Sequence, residues 1–187
     1  LDVVDAAGGI FCGKARGIKR LKPKNHGAAS PETLFVGCRE RMKIMTNLYT
    51  LIAKMIEYED GCVERVNHFL KVFAFAKTIA EGEEIDAETQ ALLEAAAVTH
   101  DIGIRVCFEK YGNCDGKHQE AEGPALAAAM LPLCGYTPAQ TERICYLIGH
   151  HHTYTGIDGV DYQILVEADF LVNIFENGME QEGARKV

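Results

Sequence analysis

The chain lacks the features that would place it in a membrane or in a secretory pathway. Its 187 residues contain no run of 18 consecutive apolar residues, so a membrane-spanning helix is not expected. Its start has no basic segment followed by a short apolar one, which is the pattern of a signal peptide. We therefore predict a cytoplasmic protein without a membrane partner.

The cysteines also lack the spacing of a structural framework. There are 7 of them, and no two are separated by only two residues. The odd number disfavours a set of disulfides, and the missing spacing disfavours a cysteine zinc cluster. We expect most of these cysteines to act as small buried hydrophobic residues.

Positive charge is scarce except at the start of the chain. The net charge is -8, yet residues 1–41 hold 8 Lys or Arg against 4 Asp or Glu, and residues 42–187 hold 11 against 23. An acidic body repels nucleic-acid phosphates, so a nucleic-acid partner is disfavoured. We interpret residues 1–41, which are rich in Gly, Ala and Lys, as an N-terminal extension that is poorly ordered or partly docked, with a non-native addition as an alternative origin.

The remainder has the periodicity of successive helices, and no segment has the pattern of a strand. Asp86 precedes an apolar stripe as a helix N-cap, and Thr137-Pro138 with Gln140 forms a capping box. A length of 187 residues with 48% apolar content suits one domain with a real core. We predict an all-α, compact single-domain helical globule over residues 42–187.

Several polar side chains fall on the predicted apolar faces of these helices. They are His68, the adjacent pair His100 and Asp101, His151, and Asp169. Burial of an unpaired carboxylate costs several kcal/mol, and buried imidazoles add to that cost. A divalent cation would satisfy all of these groups together. Imidazole with carboxylate suits Fe, Mn, Ni, Co or Zn, and the mixture does not choose among them.

The order of these residues resembles the HD superfamily of metal-dependent phosphohydrolases. In that pattern a histidine is followed by an adjacent His-Asp pair and then by a distant aspartate. Here the pair lies in Thr-His-Asp-Ile-Gly at 99–103, and the last aspartate lies in Glu-Ala-Asp-Phe-Leu-Val-Asn at 167–173. The resemblance covers about residues 45–177. It implies an HD-type helical domain in which His68, His100, Asp101 and Asp169 hold one metal ion.

Some HD proteins bind a second ion through additional histidines, and the resemblance implies such a site here. The candidates are His118 together with His150 and His151, with Asp101 as the shared ligand. Within the run at 150–152, helical periodicity favours His151 alone, and His152 is expected to be exposed. Ile104 follows His-Asp-Ile-Gly where the HD-GYP phosphodiesterases have lysine, so a cyclic dinucleotide specificity is not carried over.

The function implied is hydrolysis of a small phosphate ester or nucleotide by a metal-activated water, with one or two ions. Asp101 and Lys71 are the catalytic candidates, Lys71 and Arg105 the substrate-binding ones, and Asn173 would orient Asp169. An HD-type diiron oxygenase at the same ligands is the first alternative. A non-catalytic nucleotide-binding regulatory module is the second. The sequence is compatible with a monomer or a homo-oligomer.

Overall fold

The structure is a computed structural model that describes residue 43 and residues 47–176. The N-terminal extension predicted for residues 1–41 lies outside the described residues. Within 47–176 the regular structure is helical and no strand occurs, so the all-α fold class is confirmed. The helices are α1 at 47–58, α2 Val63–Gly82, α3 Ala87–Thr99, α4 Ile104–Tyr111, α5 Gly116–Met130, α6 Pro138–Ile148 and α7 Val160–Glu176, with a 3₁₀ turn at Leu131–Cys134.

The two helix starts predicted from capping patterns are confirmed. The Asp86 carboxylate accepts hydrogen bonds from the backbone N–H groups of Glu88 and Thr89 at 3.0 and 2.9 Å. The Thr137 hydroxyl accepts from the backbone of Gln140, whose side chain accepts from the backbone of Thr137 in return. These bonds satisfy N–H groups that have no partner within the helix, and so they fix where α3 and α6 begin.

Helix α3 is the centre of the packing. It contacts α2, α6 and α7, and residues 93–99 are all buried. Three consecutive alanines, Ala95 to Ala97, let the surrounding helices approach α3 closely. Because α3 is enclosed, the turn that follows it is buried too, and His100 has 0% of its surface exposed. The fold therefore places the His-Asp pair inside the molecule.

Two predicted apolar faces differ from the structure. On α2, apolar periodicity predicts that Phe75 shares the stripe of His68, but Phe75 is 44% exposed, because the buried face runs through Phe69, Val72 and Ala76. On α7, the same periodicity predicts that Phe175 lies on the apolar face, but it is 82% exposed. Helix α4 is not among the helices that the sequence pattern predicts.

The described cysteines are free thiols. Cys107 and Cys134 are buried, and Cys62, Cys114 and Cys145 are partly buried. Burial raises the pKa of the Cys107 and Cys134 thiols. Among the helices in the described part of the chain, none is both long enough and apolar enough to cross a membrane.

Candidate metal centre

The turn after α3 fixes the ring of His100. Its Nδ1 lies 2.9 Å from the carbonyl oxygen of Ala97. A carbonyl can only accept, so Nδ1 carries a proton, and in the neutral ring Nε2 is the nitrogen with the lone pair. His151 is held in the same way, with Nδ1 2.7 Å from the carbonyl oxygen of Ile148. In the neutral form of each ring, Nε2 is therefore the nitrogen that could bind a metal ion.

Three helical elements bring a first set of donors together. His68 from α2, His100 after α3 and Asp169 from α7 each offer one donor atom, and these atoms lie within 4.8 Å of one another. His68 Nε2 is 3.2 Å from His100 Nε2 and 3.3 Å from Asp169 Oδ1. We call His68, His100 and Asp169 the first donor group.

A second set of donors lies beside the first. Asp101, His151 and His152 also offer donor atoms within 4.8 Å of one another. Nε2 of His151 and Nε2 of His152 are buried and have no hydrogen-bond partner. Such unsatisfied atoms cost free energy unless something else binds them. We call Asp101, His151 and His152 the second donor group.

Asp101 links the two groups through its separate oxygens. Its Oδ2 is 3.3 Å from His68 Nε2 and 3.4 Å from His100 Nε2, while its Oδ1 is 3.6 Å from His151 Nε2. A carboxylate in this position could serve as a ligand to a cation in either group. The buried nitrogens without partners and the mixed imidazole and carboxylate donors both fit divalent transition metals.

Electrostatics within the groups follow from burial and close packing. Burial disfavours the charged form of His100, but Asp101 and Asp169 together raise the pKa of His100 well above its usual value. Burial likewise opposes charge on Asp169, yet hydrogen bonds from His100 and His68 lower the pKa of Asp169. Burial and the neighbouring His151 lower the pKa of His152 to about 4, so this imidazole is neutral at pH 7. A proton on His100 and a bound cation are thus alternative ways to balance the carboxylates.

Groups outside the donors orient them. Glu176 Oε2 lies 2.8 Å from Nδ1 of His68, which directs the other ring nitrogen toward the first donor group. Lys71 Nζ donates to Glu176 Oε1 at 2.9 Å. Asn173 Nδ2 donates to Asp169 Oδ1 at 2.8 Å, in the orienting position expected from the sequence.

The position of His152 depends on the start of α5. The backbone N–H of His152 donates to Glu120 Oε1 at 3.0 Å, and the Thr153 hydroxyl donates to the same oxygen at 2.9 Å. A Cβ built on Gly116 would lie 2.7 Å from the Cγ atom of the His152 ring. The absence of a side chain at Gly116 leaves the space that this ring fills.

The structure brings together His68, His100, Asp101, Asp169 and His151, but it places two other candidate ligands outside both groups. His118 stacks on Tyr111 with ring centroids 4.0 Å apart, and its Nδ1 bonds Asn113 Oδ1 at 3.0 Å. The ring of His150 stacks on Tyr146 at 4.2 Å, and its Nδ1 bonds the Tyr146 carbonyl oxygen at 2.7 Å.

His152 corrects an expectation, because it is partly buried and belongs to the second donor group instead of being exposed. The prediction extended the helical period past Ile148, where α6 ends. Residues after that point follow a turn, so the helical period no longer tells which side chains point inward.

The two predicted substrate cations have other partners. Lys71 bonds Glu176, as described above. Arg105 donates from Nη1 to the carbonyl oxygen of Tyr58 at 3.1 Å and does not line the cleft above the donors. The arginine that does line this cleft is Arg65, which also pairs with the buried carboxylate of Glu59.

The cleft above the donor groups has a volume of about 270 Å³ and opens to solvent. Its lining includes Asp101, His152, Asp169, Arg65 and Gln119. Sequence analysis missed Arg65, Gln119 and Glu176 as residues of this region. Two of them carried a usable pattern: Arg65 lies three residues before His68, and Glu176 lies seven after Asp169, so each shares a helix face with a predicted ligand.

No protein-family model, curated protein or solved structure matches this chain.

Proposed function

We propose that this protein is a metal-dependent phosphohydrolase acting on a small phosphate ester or nucleotide. The observation that carries the proposal is the position of Asp101, whose two oxygens face two separate groups of buried donors. Six side chains from distant parts of the sequence contribute to these groups. Their placement in one buried region supports a binding site for metal ions. The histidine and aspartate order shared with the HD superfamily supports the same conclusion.

The donors would hold one or two divalent transition metals, with Fe, Mn, Ni, Co and Zn as the candidates. When bound, such an ion supplies Lewis-acid chemistry, because it acidifies a water molecule and withdraws charge from a phosphate oxygen. Asp101 would contribute one oxygen to each side, because Oδ2 faces His68 and His100 and Oδ1 faces His151. Glu176 and Asn173 hold His68 and Asp169 in the orientations that direct their lone pairs inward.

Arg65 is the cation that we assign to the substrate phosphate, in place of Lys71 and Arg105. It lines the cleft beside His68 and Asp101, and the Glu59 carboxylate fixes its guanidinium. Arginine suits this role because its planar donors match the oxygens of a phosphate. The Glu64 and Glu176 carboxylates also line the cleft and would repel a phosphate, so the positive charge of Arg65 is needed to attract one.

The diiron oxygenase is the alternative that the same donors allow, and the identity of the metal separates the two reactions. Protein purified without added metal or chelator should contain one or two equivalents of divalent transition metal by elemental analysis. Asp101→Asn should lose most of it, because both groups share this carboxylate. Asp60→Asn, at an exposed turn, is the matched control and should keep the wild-type content.

Phosphate release from a panel of nucleotides and sugar phosphates then tests the activity. We expect release by the wild type and by Asp60→Asn, and its loss in Asp101→Asn. About two equivalents of iron without phosphate release would favour the oxygenase. Wild-type protein without bound metal, and without phosphate release when Mn²⁺ is added, would contradict the proposal.

A further inference from the structure

Gln119 has a buried side chain whose orientation is fixed at one end only. The residue is 7% exposed, and its Nε2 donates to the carbonyl oxygen of Cys114 at 2.7 Å. Because a carbonyl only accepts, this bond settles which end of the amide is nitrogen. The other end, Oε1, is buried and has no hydrogen-bond partner. A buried amide oxygen in this state requires a partner.

The start of α5 places Gln119 against the second donor group. Gly116 touches the ring of His152, and Gln119 follows three residues later on the same helix face. The backbone oxygen of Gln119 lies 3.2 Å from where a Cβ on Gly103 would be, two residues after Asp101. Gln119, Asp101 and His152 line the same cleft. The side chain is thus enclosed between the turn that carries Asp101 and the turn that carries His152.

We propose that Oε1 of Gln119 is a further ligand of the cation at the second donor group. This inference rests on the metal centre of the proposed function. The buried atoms without partners in this region are Gln119 Oε1, His151 Nε2 and His152 Nε2. Gln119 Oε1 can only accept, and Nε2 of His151 accepts in the neutral ring because Nδ1 of His151 donates to the Ile148 carbonyl oxygen.

A metal ion suits these atoms better than a water molecule does. All three atoms have almost no surface exposed to solvent. A transition metal lies about 2.0–2.2 Å from its nitrogen and oxygen ligands, closer than a hydrogen-bonded water. Asp101 would supply the negative charge, and Gln119 a neutral oxygen. An added oxygen ligand favours Mn²⁺ or Fe²⁺ over a softer ion.

The test compares Gln119→Leu, which removes the oxygen, with Gln119→Glu, which keeps one. Gln163→Leu is the control, since Gln163 is an exposed glutamine on α7. Each protein is stripped with chelator, checked for its melting temperature, and titrated with MnCl₂ by calorimetry. We expect two Mn²⁺ per wild-type chain and per Gln163→Leu chain. In Gln119→Leu the second Mn²⁺ should bind at least about tenfold more weakly, as is usual when a supporting metal-site residue is lost.

Gln119→Glu should keep the second Mn²⁺, because the carboxylate retains an oxygen at this position. Two Mn²⁺ bound with wild-type affinity by Gln119→Leu would overturn this inference and leave the metal centre intact. A single Mn²⁺ in the wild type would overturn it as well. Wild-type protein that binds no Mn²⁺ and no other transition metal would remove the metal centre itself, and the inference with it.

Discussion

Gly116 and His152 are in contact across 36 positions of sequence, and the contact requires that Gly116 have no side chain. A Cβ on Gly116 would lie 2.7 and 2.8 Å from three atoms of His152. In a helix interior, alanine is more favourable than glycine by about 0.8–1.0 kcal/mol. Gly116 is the first residue of α5, where this preference is smaller, so the contact with His152 decides the effect of a substitution. We predict that Gly116→Ala displaces the His152 ring. The second cation should bind about ten- to a hundredfold more weakly, and the first should be unaffected.

Calorimetric titration with Mn²⁺ measures both affinities. The control is Gly82→Ala, because Gly82 is also helical and a Cβ there would meet nothing within 4 Å. If Gly116→Ala bound both ions as the wild type does, His152 would not be a ligand in the assigned position.

Lys71 contacts Glu176 in this structure, whereas the sequence predicts that it contacts substrate. Its Nζ bonds Glu176 Oε1, and the other oxygen of Glu176 bonds His68. Burial opposes charge on Glu176, yet the bonds from Lys71 and His68 lower its pKa. We predict that Lys71→Met weakens binding of the first cation several-fold. Glu176→Leu should weaken it by about ten- to a hundredfold, since it removes the partner of His68.

Metal affinity and KM separate the two roles of Lys71. A substrate contact would raise KM for the phosphate ester and leave the metal affinity of Lys71→Met unchanged, which is the result that would contradict this prediction. Lys77→Met is a suitable control, because Lys77 is also on α2 but pairs with Glu81 and Glu94.

Local patterns predicted the helices, because caps and apolar periodicity act between residues close in sequence. The starts at Asp86 and Thr137 followed from a few adjacent residues each. The apolar faces also showed that His68 and Asp169 would lie against the core. Their meeting with His100 was expected only from the resemblance to HD proteins, since no periodicity can show which helices pack together.

The remaining features of the site depend on contacts between distant segments. Nothing near Gly116 shows that the ring of His152 will occupy the space beside it. Glu120 holds the turn after α6 through bonds that span 32 and 33 residues. His152 was expected to be exposed because the helical period was continued beyond the end of α6. A turn has no such period, so its inward-facing residues emerge only from the tertiary structure.

Removal of metal should lower the thermal stability of the protein. The two donor groups concentrate buried histidines and carboxylates that a cation would compensate. A cation at 100 times its Kd stabilises the folded state by about 2.7 kcal/mol. For a chain of this size that corresponds to a melting temperature higher by roughly 5–10 °C. We predict a fall of this order when EDTA is added, and its reversal by excess Mn²⁺ or Zn²⁺.

Differential scanning calorimetry with and without EDTA measures this change. In Asp169→Asn the change should be much smaller, because the first donor group has lost its own carboxylate. His150→Gln should keep the full effect, since His150 lies outside both groups. An unchanged melting temperature in the wild type, with EDTA and with added metal, would argue against tight binding.

Arg65 combines a structural pairing with its proposed contact to phosphate, and a double variant separates the two. The partner Glu59 is 3% exposed, so Arg65→Leu leaves a buried carboxylate without its cation. Breaking such a pair costs about 3–5 kcal/mol, and the lower end applies because the Arg65 side chain is 30% exposed.

Adding Glu59→Gln to Arg65→Leu removes the buried charge and should restore most of the stability. It should not restore the arginine in the cleft, so KM for a phosphate ester should stay at least about tenfold higher in Arg65→Leu/Glu59→Gln. Thermal denaturation and steady-state kinetics on the two variants provide both readouts. Recovery of stability and KM together would show that Arg65 is structural alone.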